Sequence, residues 1–284
     1  MRWREMQPSQ NVEDRRGTRP GGLGMGGMGI RTGGLGLGGL LVLMVLGYFF
    51  TGDPLGLMDG GSGGAPAETG VRGTPADEAG EMVSHVLGDT DRTWGELFAQ
   101  QNRSYRRPTL VLFSDAAESA CGLSSAATGP FYCPGDQKLY IDLSFFMELD
   151  RRFGAPGDFA QAYVVAHEVG HHVQNLLGVF DRVRGMQQSR ADANALSVRQ
   201  ELMADCFAGI WGHYAASRGL LETGDVEEGL AAAAAIGDDR IQRRTQGRVT
   251  PESWTHGSSA ERVRWFRQGL ESGQIRSCDT FAAS

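Results

Sequence analysis

Positive charge is in short supply: 27 Lys and Arg stand against 34 Asp and Glu, a formal net charge of −7 over 284 residues. That balance lacks the basic footprint by which nucleic acid is bound, so no nucleic-acid partner is expected. Cysteine is scarce too, with four residues. Cys121, Cys133, Cys206 and Cys278 show none of the short paired spacings of a structural zinc knuckle, which sets that use aside. No internal repeat is found, and a stacked-repeat architecture is excluded with it. One stretch lacks charge altogether: no Asp, Glu, Lys or Arg lies between Arg31 and Asp53.

At 1.5 Å per residue, a helix over residues 32–52 spans about 30 Å, the hydrocarbon thickness of a bilayer. Leu40 to Phe50 is its densest apolar part. A cleaved signal peptide is the competing reading. Its leader would be unusually long, and Ala65-Pro66-Ala67 lies too far past the apolar core for ordinary cleavage. A retained transmembrane helix over 32–52 is therefore expected, with membrane lipid as a partner. Arg2, Arg4, Arg15, Arg16, Arg19 and Arg31 precede it, whereas Asp53, Asp59 and Glu68 follow. By the positive-inside rule, residues 1–31 are cytoplasmic and the rest of the chain lies across the membrane. Residues 53–75 have the composition of a flexible linker, and 76–284 suffice for one domain with a sizeable core.

Within that domain, the run AYVVAHEVGHHVQNLLG carries the pentad His167-Glu168-Val169-Gly170-His171. On a helix, positions 167 and 171 differ by roughly 40° around the axis, so both imidazoles reach one metal ion from the same face. Such His-Glu-x-x-His helices hold zinc through the histidines and use the glutamate as general base. Val164, Val165, Val169, Val173, Leu176 and Leu177 give the segment an apolar side, and Gly178 is a stop signal. The competing reading is a buried helix whose histidines only pack. His172 falls roughly 140° off the shared face and reads as a surface or packing histidine.

A catalytic zinc site needs three protein ligands and a position left for water. Further along, Arg199-Gln200-Glu201-Leu202-Met203-Ala204-Asp205 is another strong helix former, with Glu201 and Asp205 at i and i+4. One carboxylate can bind the metal while the other bonds a ligand histidine and fixes its tautomer. Such a pair is often just a solvated face. Here Leu202, Met203, Ala204, Phe207, Ala208, Ile210 and Trp211 surround it, and recruitment is the better reading.

HEVGHH followed by ELMADCFAG resembles the gluzincin pattern. More narrowly, the chain is similar to the bacterial neutral zinc metallopeptidase family, single-pass membrane proteins. MRWR with NVEDRR at the start carries the resemblance, as do GPFYCP, YIDLSFF and THGSSAER. The likeness implies one zinc ion held by His167, His171 and Glu201, with Glu168 as general base and Asp205 bonded to a ligand histidine. It implies an enzyme, a zinc peptidase anchored in the bacterial cell membrane and hydrolysing protein or peptide substrates in the cell envelope. His256, in a Gly/Ser-bounded turn, is the candidate donor to the oxyanion, since gluzincins often place a His or Tyr after the third ligand. Tyr214 is the alternative donor. Two other readings stay open: a catalytically silent, zinc-stabilised envelope scaffold, and a hydrolase of cell-wall peptide amides.

The fold class expected is α+β: a zincin-like domain with a small sheet and two metal-binding helices, preceded by one transmembrane helix. Helices are expected near 76–87, 91–102, 158–178, 190–218, 225–236 and 258–271. Residues 109–113 read as a buried strand, and residues 137–143 as the sheet edge that takes substrate. Four cysteines allow three pairings. The preferred one joins Cys121 to Cys133 across a Gly/Ser/Pro loop and Cys206 to Cys278. It suits an oxidising compartment, periplasmic or extracellular. His85 and His213 have no supporting context.

Overall fold

The computed structural model describes residues 1–17, 70–125, 129–186 and 190–282. Its strands in chain order are β1 (Val12–Asp14), β2 (Val71–Arg72), β3 (Thr109–Phe113), β4 (Ala116–Ser119), β5 (Gly122–Ser125), β6 (Phe131–Cys133) and β7 (Lys138–Asp142). Five of them form one sheet in the order β2-β1-β3-β7-β6, while β4 and β5 pair as a separate hairpin. β1, β3 and β7 run parallel, and the flanking β2 and β6 are antiparallel to their neighbours.

β3 is a run of apolar residues because both of its faces are covered. Leu110 and Leu112, with Leu139 and Ile141 of β7, point into the main core. Val111, Phe113 and Tyr140 point the other way, into a small cluster closed by Ala117 and Cys133. The strand period of two thus divides one sheet between two cores.

The helices are α1 (Glu78–Gln100), α2 (Ser144–Arg151), α3 (Asp158–Leu176), α4 (Val179–Met186), α5 (Arg190–Ser217), α6 (Asp225–Ala235), α7 (Asp238–Gln246) and α8 (Ser259–Ser272). α3 buries Phe159, Tyr163, Val165, Val169 and Val173, so it is apolar on nearly every side, and it packs against α1, α5 and α6. α8 begins in a capping box between Ser258 and Glu261 and stops at Gly273, whose φ of 59° ends the helix. Close helix approach needs small residues. A Cβ at Gly170 of α3 would stand 2.9 Å from the carbonyl oxygen of Ala204 on α5. Where α5 meets α8, Gly209 faces the Phe266 carbonyl and Gly269 faces the Cys206 carbonyl, closer than any side chain tolerates. Two disulfides join Cys121 to Cys133 and Cys206 to Cys278, the second tying α5 to the C-terminal turn.

Three expectations need correction. α1 is one helix, not two, because Gly88 continues it where the Gln7 backbone crosses too closely for a side chain. β7 is no edge: it pairs with β3 on one side and β6 on the other, leaving β6 outermost.

The third correction concerns the membrane. Residues 32–52, where the span was expected, lie outside the described residues, as do 53–69 of the linker. Among the described residues no helix is long and apolar enough to cross a membrane. The N-terminal segment also belongs to the same compact unit as residues 70–284. Trp3, Met6 and Val12 are in the main core, and β1 sits between β2 and β3. One crossing between β1 and β2 would leave two hydrogen-bonded strands on opposite sides of a bilayer. The single-pass topology, with its cytoplasmic N-terminus and membrane location, is accordingly overturned, and nothing among the described residues supports a lipid partner.

The Gly170 crossing sets how closely α3 approaches α5. Gly170→Ala is expected to lower stability by about 1–3 kcal/mol through overpacking against Ala204. An unfolding midpoint equal to that of the parent protein would contradict this account of the crossing.

Candidate functional site

α3 and α5 bring their polar residues together at that crossing. His167 Nε2 lies 3.2 Å from Glu201 Oε2, and His171 Nε2 lies 3.4 Å from Glu201 Oε1. Ligand atoms of the three residues all fall within 4.8 Å of one another. Two imidazole nitrogens and a carboxylate are a donor set that suits zinc and leaves a coordination position for water or substrate.

Each imidazole is fixed from behind. His167 Nδ1 stands 2.9 Å from Asp205 Oδ1. Asp205 also accepts from Arg262 Nε and Nη2, both at 2.9 Å, and from the Tyr163 hydroxyl. On the other ring, His171 Nδ1 is 3.3 Å from Gln174 Oε1, while Gln174 Nε2 donates to the Gln200 carbonyl at 2.6 Å. A carboxylate and a carboxamide oxygen both accept, so Nδ1 of each ring is the donor there and Nε2 is the nitrogen turned inward, the one that ligates a metal once it gives up its proton.

The electrostatics favour a positive charge at the centre. Burial opposes charge on His167, yet the hydrogen bond and charge of Asp205, with Glu201 behind, raise it to about 10. Burial likewise opposes charge on Glu201, but the His171 and His167 rings hold it well below the usual carboxylate range. Glu168 differs: burial dominates and raises its carboxyl. A raised carboxyl is a better proton acceptor once ionised.

A cavity of about 610 Å³ opens beside the cluster, lined by His167, Glu168, His171, Glu201 and His256. His256 is held by Asp238, whose Oδ1 lies 3.1 Å from Nδ1 and whose Oδ2 accepts from the His256 backbone at 2.6 Å. The Asp238 hydrogen bond raises the His256 pKa above its ordinary value. Phe131 and Tyr132 of β6 also line this cavity, so the sheet edge at the site is β6 rather than β7.

Every expected residue of the metal and base group is therefore at one place, with Asp205 directly behind it. Tyr214 is not: its hydroxyl faces the Gly273 carbonyl at 3.5 Å and does not line the cavity. His172 is fully buried and faces away, between Tyr132 and the Arg106 carbonyl, and burial pushes it down to about 4. His85 accepts a structural role through the Met6 carbonyl, and His213 through that of Leu270. A second carboxylate group, Asp158, Asp225 and Glu228, is already engaged: Asp158 and Asp225 hold the Met1 amine and Glu228 accepts from Phe159 N.

Sequence reasoning missed Arg262, Tyr163, Gln174 and Asp238. Two had a readable signal. Tyr163 and Gln174 stand four residues before His167 and three after His171, on the ligand face of the same helix. Arg262 closes the THGSSAER motif, which marked the stretch but gave this residue no role, and Asp238 had no signal; they arrive from α8 and α7.

A family model described as Putative neutral zinc metallopeptidase matches residues 1–281. The chain is 49% identical over 288 residues to the Escherichia coli (strain K12) protein named Uncharacterized protein YpfJ, with 100% of each chain covered. It is 47% identical over 205 residues to the Mycobacterium tuberculosis protein named Uncharacterized protein Rv2575, with 68% of each covered. No solved structure matches the chain.

The donor geometry makes a direct claim about metal content. His171→Ala and Glu201→Ala are expected to purify nearly free of zinc by elemental analysis. Asp205→Asn should bind it about 10–100-fold more weakly in competition with a chromophoric chelator. Full zinc occupancy in either alanine variant would exclude that residue as a ligand.

Proposed function

The chain belongs to the putative neutral zinc metallopeptidase family, and on that premise we propose that it hydrolyses peptide bonds in protein or peptide substrates. One zinc ion is held by His167, His171 and Glu201, and Glu168 is the general base. The observation that carries this reading is the convergence of three ligand atoms within 4.8 Å beside a cavity that Glu168 also lines. When bound, zinc supplies Lewis acidity, which eases loss of a proton from water and polarises the scissile carbonyl.

The chain's own residues do the rest. Glu168 takes the proton from the attacking water and passes it to the leaving amine. Its burial supports this, since a carboxyl in a poorly solvated place has a raised pKa and holds a proton between the two steps. His256 faces the cavity with Nδ1 engaged by Asp238. With that proton committed, Nε2 donates a hydrogen bond only when the ring is protonated, and in that form it stabilises the developing oxyanion. β6 offers an outer strand edge along which an extended peptide aligns. A zinc ion serving only the fold has no need of a base beside an open cavity, and it would favour a closed fourth ligand.

Glu168→Gln should keep its zinc and lose about 10²–10⁴-fold in hydrolysis of a quenched-fluorescence peptide library. Turnover at the parent rate would remove Glu168 from the mechanism. The pH profile tests His256. Its pKa is raised by Asp238, so the donating form persists to higher pH and is lost as pH rises through that value. Asp238→Asn lowers the pKa and should move the alkaline limb of kcat/KM to lower pH; an unmoved limb would rule out His256 as the donor.

A further inference from the structure

The third histidine of HEVGHH takes no part in the site described, yet it is one of the most fully engaged side chains in the fold. His172 has no exposed surface. Its Nε2 lies 2.6 Å from the carbonyl oxygen of Arg106, which only accepts, so Nε2 carries the proton. Nδ1 is then the acceptor, and the Tyr132 hydroxyl, 3.0 Å away, donates to it. Asn175 Nδ2, one turn along α3, donates to the same hydroxyl at 2.9 Å. The rings of Tyr105 and Tyr132 meet His172 edge-on, with centroids at 5.8 Å and 5.4 Å.

These contacts tie particular parts of the fold together. Arg106 belongs to the segment leading into β3, and Tyr132 is the middle residue of β6, two strands away across β7. The ring of His172 thus fastens the metal-bearing helix to the sheet at both places. β6 has only three residues and one neighbouring strand among those described, so its own ladder does little to hold it. Its backbone edge must nonetheless keep a fixed height above the ligands if a peptide is to lie along it. The Tyr132 hydroxyl cannot itself serve the reaction, because its proton is given to His172 and its oxygen is taken by Asn175.

We propose that His172, with Asn175, is a positioning residue that sets the substrate edge β6 against the zinc-bearing helix through the Tyr132 hydroxyl, making the enzyme selective for extended peptides over short ones. This rests on the peptidase reading above. The brace acts through backbone pairing, so it benefits only substrates long enough to run along β6 and is silent for those that occupy the reacting centre alone.

The test uses the full chain, zinc-loaded, with two fluorogenic probes sharing one scissile bond: an octapeptide and a doubly blocked dipeptide. For the parent protein the octapeptide should be the better substrate. Tyr132→Phe should raise KM for the octapeptide about tenfold, the worth of one or two ordinary hydrogen bonds, with kcat within about twofold. Its zinc content should stay at the parent value. Asn175→Leu, which lies outside the cavity lining, removes one of the two bonds and leaves the hydroxyl on His172, should raise KM for the octapeptide by a smaller factor and keep zinc content and dipeptide kcat/KM at parent values. Equal losses on both probes in Asn175→Leu, or a loss of kcat without a change in KM, would overturn the brace and reduce His172 to core packing. A parent protein that holds zinc and cleaves neither probe would instead overturn the peptidase reading itself.

Discussion

The carboxylate of Asp205 is the joint on which the site is assembled. It is fully buried and receives His167 from α3, Arg262 from α8 and the Tyr163 hydroxyl. Burial alone would push a proton onto it, but the Arg262 guanidinium and His167 keep it below its ordinary value and therefore charged. A buried charge is tolerable only when every oxygen has partners, and here they come from two other helices. The polar joint in turn depends on backbone approach. Gly209 and Gly269 let α8 lie on α5 closely enough for Arg262 to reach Asp205, and Gly170 does the same for α3. Three glycines at two crossings thus fix the orientation of an imidazole.

The same joint decides what the cluster attracts. Glu168, Glu201 and Asp205 are carboxylates, and Arg262 is the guanidinium buried among them. Carboxylates outnumber the guanidinium at the place where the Nε2 atoms of two rings converge. A divalent cation satisfies both conditions at once, because it offsets the carboxylates and accepts the lone pairs. Arg262 also keeps the arrangement directional. By engaging both oxygens of Asp205 it leaves Glu201, not Asp205, as the carboxylate free to face the metal position.

Local spacing explains which parts were legible in the chain alone. His167/His171 and Glu201/Asp205 each repeat at i and i+4 on apolar helices, so each half of the site could be read separately. That the halves meet came from motif resemblance, not from periodicity. The helices α3, α5, α6 and α8 were legible for the same reason of sustained apolar pattern. Elements that exist because of a neighbour were not. β1 and β6 have three residues each, and three residues carry no readable alternation. Gly88-Asp89-Thr90 looks like a helix break, but it is the place where the N-terminal segment crosses, with Asp89 taken up by Trp211 and Arg218. Strand alternation in residues 137–143 marked a strand correctly and said nothing about which strands flank it.

The membrane reading failed in a more instructive way. Hydropathy over 32–52 is a property of that segment alone, but the topology drawn from it leaned on the arginines before it. Those among the described residues have other uses. Arg4 pairs with Glu78 and Arg16 with Asp77, each at 2.5 Å, and both carboxylates lie at the start of α1. Arg15 pairs with Glu13, whose other oxygen holds Lys138 of β7 at 2.8 Å, and Arg2 approaches Glu222 at 3.7 Å. An arginine that orients a leader and one that docks a strand look identical in a charge count. What separates them is whether carboxylates wait in the folded domain, and here they do. With β1 hydrogen-bonded to β3 along Val12, Glu13 and Asp14, residues 1–17 are tied into the sheet that carries the site, so the charges they bear report docking rather than sidedness.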